Sequence, residues 1–208
     1  MVSARSHFVP ALLALVVAGA APGASAAVPS PANSIVDACV RVCPAGDMTL
    51  HVLVRDFANS PVPGSTILVD FSNCPAVFLC PLLGTEPYSL AGQAVLMTAN
   101  AAGIADIPIR AGGTCLGTVN IYADGVLIAS RQGSSSPDLD SNAWVNAVDQ
   151  AGMAFLLGGP YTPVADLNCS GALEAGDQAV QNAHLGHTCG AVVPVWPRSW
   201  GRIKTLYR

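Results

Sequence analysis

The chain has 208 residues, 51% hydrophobic and only 11% charged, with 9 basic against 13 acidic side chains. A net charge of −4 excludes the basic surface that a phosphate backbone requires, so nucleic acid is not an expected partner. Seven cysteines, with 20 glycines and 16 prolines, point to a turn-rich fold stabilised by disulfides in an oxidising compartment, with one thiol left over.

Residues 1–26 have the layout of a secretory signal peptide. Arg5 supplies the positive start, Val9 to Ala21 a short apolar run, and Ala24-Ser25-Ala26 a small-x-small cleavage site. The run is too short, and too interrupted by Pro10 and Gly19, to cross a bilayer, and no later stretch is long enough. The expected location is therefore outside the cell or on a bacterial cell surface.

Residues 27–131 read as an all-β sandwich. Thr49 to Val54 alternates with period two, Asp56 to Ser65 supplies a Pro/Gly turn, and Thr66 to Phe71 returns. Val77 to Leu83, Ala94 to Met97 and Ile104 to Ile109 are further strand candidates. Thr118 to Tyr122 and Val126 to Ala129 flank Ala123-Asp124-Gly125 as a hairpin. Six or seven short strands without a helical period suit a small two-sheet fold. Such a fold can bind glycans through aromatics, here Phe57, Phe71, Phe78, Tyr88 and Tyr122. Residues 132–137, Gln-Gly-Ser-Ser-Ser-Pro, are expected to be a flexible linker.

Beyond the linker the chain repeats itself. Residues 138–149 align with 166–177 at an offset of 28, and eight of the 24 positions from 138 to 161 are identical. Each copy spaces oxygen donors as a twelve-residue calcium loop does, since Ca2+ takes six to eight oxygens at about 2.3–2.6 Å. Loop 1 offers Asp138, Asp140, Asn142, the Trp144 carbonyl, Asn146 through water, and Asp149. Loop 2 offers Asp166, Asn168, Ser170, the Ala172 carbonyl, Glu174 through water, and Asp177. Loop 1 has the better ligands but carries Ala143 where the sharp turn favours glycine, while loop 2 keeps Gly171. Val145 and Leu173, at the eighth positions, are expected to pair with each other. A short helix should follow each loop, Ala147 to Leu157 and Ala175 to Leu185, ending at Gly158 and Gly186. Residues 138–189 hold six acidic side chains and no Lys or Arg, a charge balance that suits bound cations. Residues 191–208 form a basic, aromatic tail.

No G-x-S-x-G, H-E-x-x-H or phosphate-cradling loop occurs, so no enzyme is expected. Asp56, Asp70, Glu86 and Asp106 read as surface or turn carboxylates rather than an acid/base pair. His184, His187 and Cys189 have metal-like spacing, but three ligands leave a site incomplete. The expected outcome is exposed histidines near a helix end and a bridged Cys189. Cys39 and Cys43 are expected to serve structural bridges.

The duplicated D-x-[DN]-x-[NS]-[AG]-x-[VL]-x-x-x-D loop, with one helix and a glycine after each copy, resembles the type I dockerin module over residues 138–190. The resemblance implies a module folded around two Ca2+ ions, docking onto a cohesin-like or surface protein. It assigns the side-chain ligand roles to Asp138, Asp140, Asn142, Asp149, Asp166, Asn168, Ser170 and Asp177. The recognition pair differs between copies, Ala147-Val148 against Ala175-Gly176. Residues Val52 to Thr66, Thr98 to Arg110 and the final hairpin are similar to bacterial Ig-like domains of the invasin/intimin type. That similarity implies a spacer or adhesive role. The whole is thus expected to be an Ig-like sandwich followed by a small α-helical, dockerin-like module, non-catalytic and serving attachment. The alternative is an Ig-like adhesin or carbohydrate-binding protein in which the calcium module is only structural.

Overall fold

The computed structural model describes residues 27–190; the signal-peptide and basic-tail expectations lie outside them. Ten strands run in chain order before two helices: β1 Ile35–Val36, β2 Thr49–Leu53, β3 Thr66–Asp70, β4 Phe78–Leu79, β5 Ser89–Leu90, β6 Ala94–Thr98, β7 Ile104–Pro108, β8 Ala111–Gly112, β9 Cys115–Ala123 and β10 Val126–Ser134. They form a three-stranded sheet β1-β2-β7, a five-stranded sheet β10-β9-β3-β6-β5 and a small β4-β8 pair, all antiparallel.

The alternation in sequence sets which face is buried. Leu50 and Val52 of β2 and Ala105 and Ile107 of β7 point inward from one sheet. Ile67 and Val69 of β3 and Val119, Ile121 and Ala123 of β9 point inward from the other, and all belong to one hydrophobic core with Phe71. Burying each such large side chain contributes about 1.5–3 kcal/mol before chain entropy is set against it. The β9–β10 hairpin turns on Asp124 and Gly125, both at positive φ (48° and 81°), which a tight two-residue hairpin loop requires.

The strand expected over Val77 to Leu83 is reduced to Phe78–Leu79. After it the Cys80 N–H donates to the Arg110 carbonyl, and Pro81 has no N–H to extend the ladder. The expected flexible linker is corrected. Residues 132–134 are the end of β10, and Ser134, Ser135 and Ser136 are buried. Ser135 pairs both ways with the Val40–Val42 segment, donating to the Val40 carbonyl and accepting from the Val42 N–H. The small side chains that suggest a linker instead let backbones approach closely: a Cβ on Gly133, whose φ is +81°, would meet the Cys115 carbonyl.

The two helices, α1 Ala147–Leu156 and α2 Ala175–Ala183, close the described chain, with a 3-10 turn at Pro163–Ala165 between them. Their own core is small, centred on Met153, Ala165 and Leu167. So few buried side chains need covalent help, and two of the three disulfides supply it. Cys39–Cys169 and Cys80–Cys189 tie this region to the β-sheets, while Cys74–Cys115 lies within them. Cys43 is buried and unbridged, unlike the structural bridge expected for it.

Candidate metal centre

The two loops share one backbone path. At the fourth position Ser141 and Cys169 both have left-handed φ (61° and 59°), and at the sixth Ala143 and Gly171 do too (65° and 80°). The first-position carboxylates drive this coiling. Asp138 accepts the N–H groups of Asn142 and Ala143 at 3.1 and 2.8 Å, and Asp166 accepts those of Ser170 and Gly171 at 3.0 and 2.8 Å. At the twelfth position Asp149 accepts from Leu139, Asp140 and Asn146 N–H, while Asp177 accepts from Leu167, Asn168 and Glu174 N–H. Each thereby caps its helix as a loop closes on it, where the helix end favours negative charge.

The third and fifth positions continue the match. Asp140 accepts from the Asn142 N–H at 3.2 Å, and Asn168 from the Ser170 N–H at 2.9 Å. The carbonyls of Trp144 and Ala172 receive hydrogen bonds from Asn146 Nδ2 and Ser170 Oγ. Asn146 is the N-cap of α1, its Oδ1 accepting from Val148 N–H at 2.7 Å. Glu174 accepts from Asn168 Nδ2 at 3.0 Å. The two loops thus hold their polar side chains and seventh-position carbonyls in hydrogen bonds of their own.

The surroundings of the loops differ. Carboxylate oxygens of Asp138, Asp140 and Asp149 lie within 4.8 Å of one another, with Asp138 and Asp149 fully buried. No basic side chain pairs with them among the described residues. Burial, and after it the neighbouring Asp149 and Asp140, push the Asp138 carboxyl above its usual range, against the pull of the Ala143 and Asn142 N–H groups. Three carboxylates in this space are what a hard divalent cation neutralises. Loop 2 has the neutral Asn168 where loop 1 has Asp140, its third carboxylate, Glu174, accepts from Asn168 Nδ2, and Tyr161 donates its hydroxyl to Asp166 at 3.1 Å.

Two contacts were not legible in the repeat. Gly113 N–H donates to Asp138 at 3.1 Å, seating loop 1 against β8. Gly112 allows that approach, since a Cβ there would run into the Asp138 carboxylate. The expected pairing of Val145 with Leu173 is also corrected. Val145 N–H donates to the His187 carbonyl at 2.9 Å and its carbonyl accepts from Gly186 N–H at 2.8 Å, while Leu173 packs into the helical core. The turn after α2 therefore forms a short β-contact with loop 1.

That contact assembles a second donor group: Cys43, Asp47, His184 and His187, whose ligand atoms also lie within 4.8 Å of one another. Cys189 is bridged to Cys80, as expected. The histidines are not the exposed pair expected, for the His184 side chain is only 14% exposed.

The remaining candidates are accounted for singly. Asp56 and Asp70 accept local turn N–H groups, Asp106 pairs with His51 at 2.7 Å, and Glu86 pairs with Arg110 at 2.7 Å. Of the aromatics proposed for glycans, Phe71 and Tyr88 are buried in the core, and Phe57 and Phe78 are exposed. Among the described residues these side chains assemble no catalytic constellation, and three disulfides stabilise the fold. No helix among the described residues is long and apolar enough to cross a membrane.

No family model and no curated protein matches the chain. Among solved structures it is similar to the "Crystal structure of the Lin-41 filamin domain", at 14% identity and a TM-score of 0.26, covering 50% of this chain and 94% of that one.

Proposed function

We propose that this is a secreted attachment protein whose dockerin-like half binds two Ca2+ ions, one in each loop, behind an Ig-like sandwich. The ligands are Asp138, Asp140, Asn142, the Trp144 carbonyl and Asp149 in loop 1, and Asp166, Asn168, Ser170, the Ala172 carbonyl and Asp177 in loop 2. The observation that carries the reading is the matching main-chain hydrogen bonding to the first-position carboxylates of the two loops, each gathering oxygens around buried carboxylates that no Lys or Arg among the described residues pairs with. Around loop 1, Trp144, Val148 and Leu185 are exposed apolar side chains, a surface suited to a cohesin-like or other surface protein.

A specific observation favours the second reading, in which the calcium module is structural and the sandwich makes the contact with a partner or glycan. Loop 1 is seated on β8, and two disulfides fasten the helices to the sheets. The helical half is thus built into the body of the protein rather than tethered to it.

Calcium titration of the mature protein, disulfides intact, tests the shared core of both readings. Two equivalents should bind, with Asp138→Ala and Asp166→Ala each removing one. No binding at millimolar calcium would overturn it. A cohesin pull-down against a glycan and cell-surface binding assay then separates the two roles.

A further inference from the structure

The odd cysteine has a destination. We propose that Cys43, Asp47, His184 and His187 form a structural binding site for a borderline-soft divalent metal ion of the Zn2+ class, separate from the calcium loops.

The first support is geometric. Zn2+ binds imidazole nitrogen and carboxylate oxygen at about 2.0–2.2 Å and thiolate at about 2.3 Å, so neighbouring ligand atoms around a tetrahedral ion stand about 3.3–3.6 Å apart. Here Cys43 Sγ is 3.4 Å from His187 Nδ1, which is 3.3 Å from Asp47 Oδ2, and Asp47 Oδ2 is 3.4 Å from His184 Nε2. The same protein shows what a directly hydrogen-bonded His–Asp pair looks like: His51 and Asp106 meet at 2.7 Å. The contacts to Asp47 are longer and converge, as between ligands that share a centre.

The second support is the preparation of each ligand. His184 Nδ1 donates to the Val180 carbonyl at 2.7 Å, which fixes the tautomer and leaves the Nε2 lone pair facing the cluster. His187 is held from both sides by the β-contact with Val145 and, two residues on, by the Cys80–Cys189 bridge. Cys43 is held by backbone hydrogen bonds with Ile109 and Ala111, and Gly46, at φ +78°, lets its loop turn back toward Asp47 against Arg110. The four ligands come from two distant stretches of chain that the fold has already locked together.

The donor chemistry selects the ion. A thiolate and two imidazoles suit Zn2+ and its neighbours and are poor ligands for Ca2+, which takes oxygen. One thiolate and one carboxylate balance the 2+ charge. Binding replaces the thiol proton: the S–H bond breaks, an S–metal bond forms, and the proton leaves to solvent without any oxidant. Burial and the Asp47 carboxylate keep the metal-free Cys43 thiol protonated, well above its ordinary range. One His187 nitrogen faces both Cys43 and Asp47, so no relay from thiol through ring to carboxylate exists. With four protein ligands the site is closed, which makes it structural, a clasp between the 43–47 loop and the end of α2.

The test is Co2+ and Zn2+ titration of the mature protein, chelator-stripped, with disulfides intact and no added thiol. One equivalent of Co2+ should bind with the strong visible bands of tetrahedral cobalt and a thiolate charge-transfer band, and Zn2+ should displace it. Cys43→Ser should abolish the charge-transfer band, and His187→Ala should weaken binding on the order of a hundredfold or more. Asp138→Ala and Asp166→Ala should leave both signals unchanged, which separates this site from the calcium reading. A faint octahedral spectrum, absence of stoichiometric binding, or a charge-transfer band surviving in Cys43→Ser would overturn it. If Cys43→Ser misfolds, His187→Ala decides, because unaltered cobalt binding there is equally fatal.

Discussion

The two twelve-residue loops coil alike and are embedded differently. Loop 1 is pressed onto β8 and brings together the carboxylates of Asp138, Asp140 and Asp149; loop 2 has the neutral Asn168 in place of Asp140, its own Cys169 bridged to Cys39, and a tyrosine hydroxyl on Asp166. Repetition in sequence copies the local hydrogen bonds, whereas the packing around each copy decides charge and rigidity. Loop 1 is accordingly part of the seam between sheets and helices, and loop 2 is its peripheral twin.

The sharpest way to break this comparison is to remove the first carboxylates. Asp138→Ala removes three hydrogen bonds, leaving the Gly113 and Ala143 N–H groups without an acceptor, and should lower stability by roughly 3 kcal/mol, more than Asp166→Ala, in denaturant unfolding. Equal losses would mean that the β8 contact contributes nothing. Gly112→Ala should next cost about 2 kcal/mol and cut calcium binding at loop 1 alone, since its Cβ meets the Asp138 carboxylate. Ala143→Gly should work in the opposite direction, raising stability by about 1 kcal/mol in the same unfolding assay, because the alanine is already in a left-handed conformation at φ 65°.

The smallest effect concerns pH. Arg110, buried, donates to the Cys189 carbonyl at 2.8 Å and to Glu86, and Cys189 N–H in turn donates to the Ala143 carbonyl of loop 1. The Leu83 N–H foremost, then Glu86's own N–H, the Arg110 guanidinium and the Gly84 N–H, hold the Glu86 carboxyl down at about 2, against an ordinary 4.5. A lowered folded value means this contribution is complete above about pH 4.5 and fades as pH falls toward 2. Thermal unfolding of Glu86→Gln should therefore show a shallower loss of stability across that window than the parent protein.

Much of this was legible because local chemistry repeats. The Asp124-Gly125 hairpin, the alternating strands and both helices follow from turn residues and periodicity, and the 28-residue offset gave the loop geometry, including the strained Ala143. What escaped depends on long-range approach. Ser134 to Ser136 look like a linker because composition cannot distinguish a small residue that is solvated from one wedged between backbones. The β8 seat of Asp138 depends on two glycines 25 or more residues away. The histidines after α2 lacked a fourth partner in their own segment, because Cys43 lies 144 residues before His187.

The disulfide connectivity constrains how such a chain can mature. Cys39 must wait for a partner 130 residues downstream and Cys80 for one 109 residues downstream, while only Cys74 and Cys115, 41 apart, can join early. During synthesis Cys39 and Cys43 emerge close together with no correct mate in reach, so their mutual bridge is the readiest error. Productive oxidation must either run late or be reversible, and a metal ion captured by Cys43 would withdraw that thiol from the exchange.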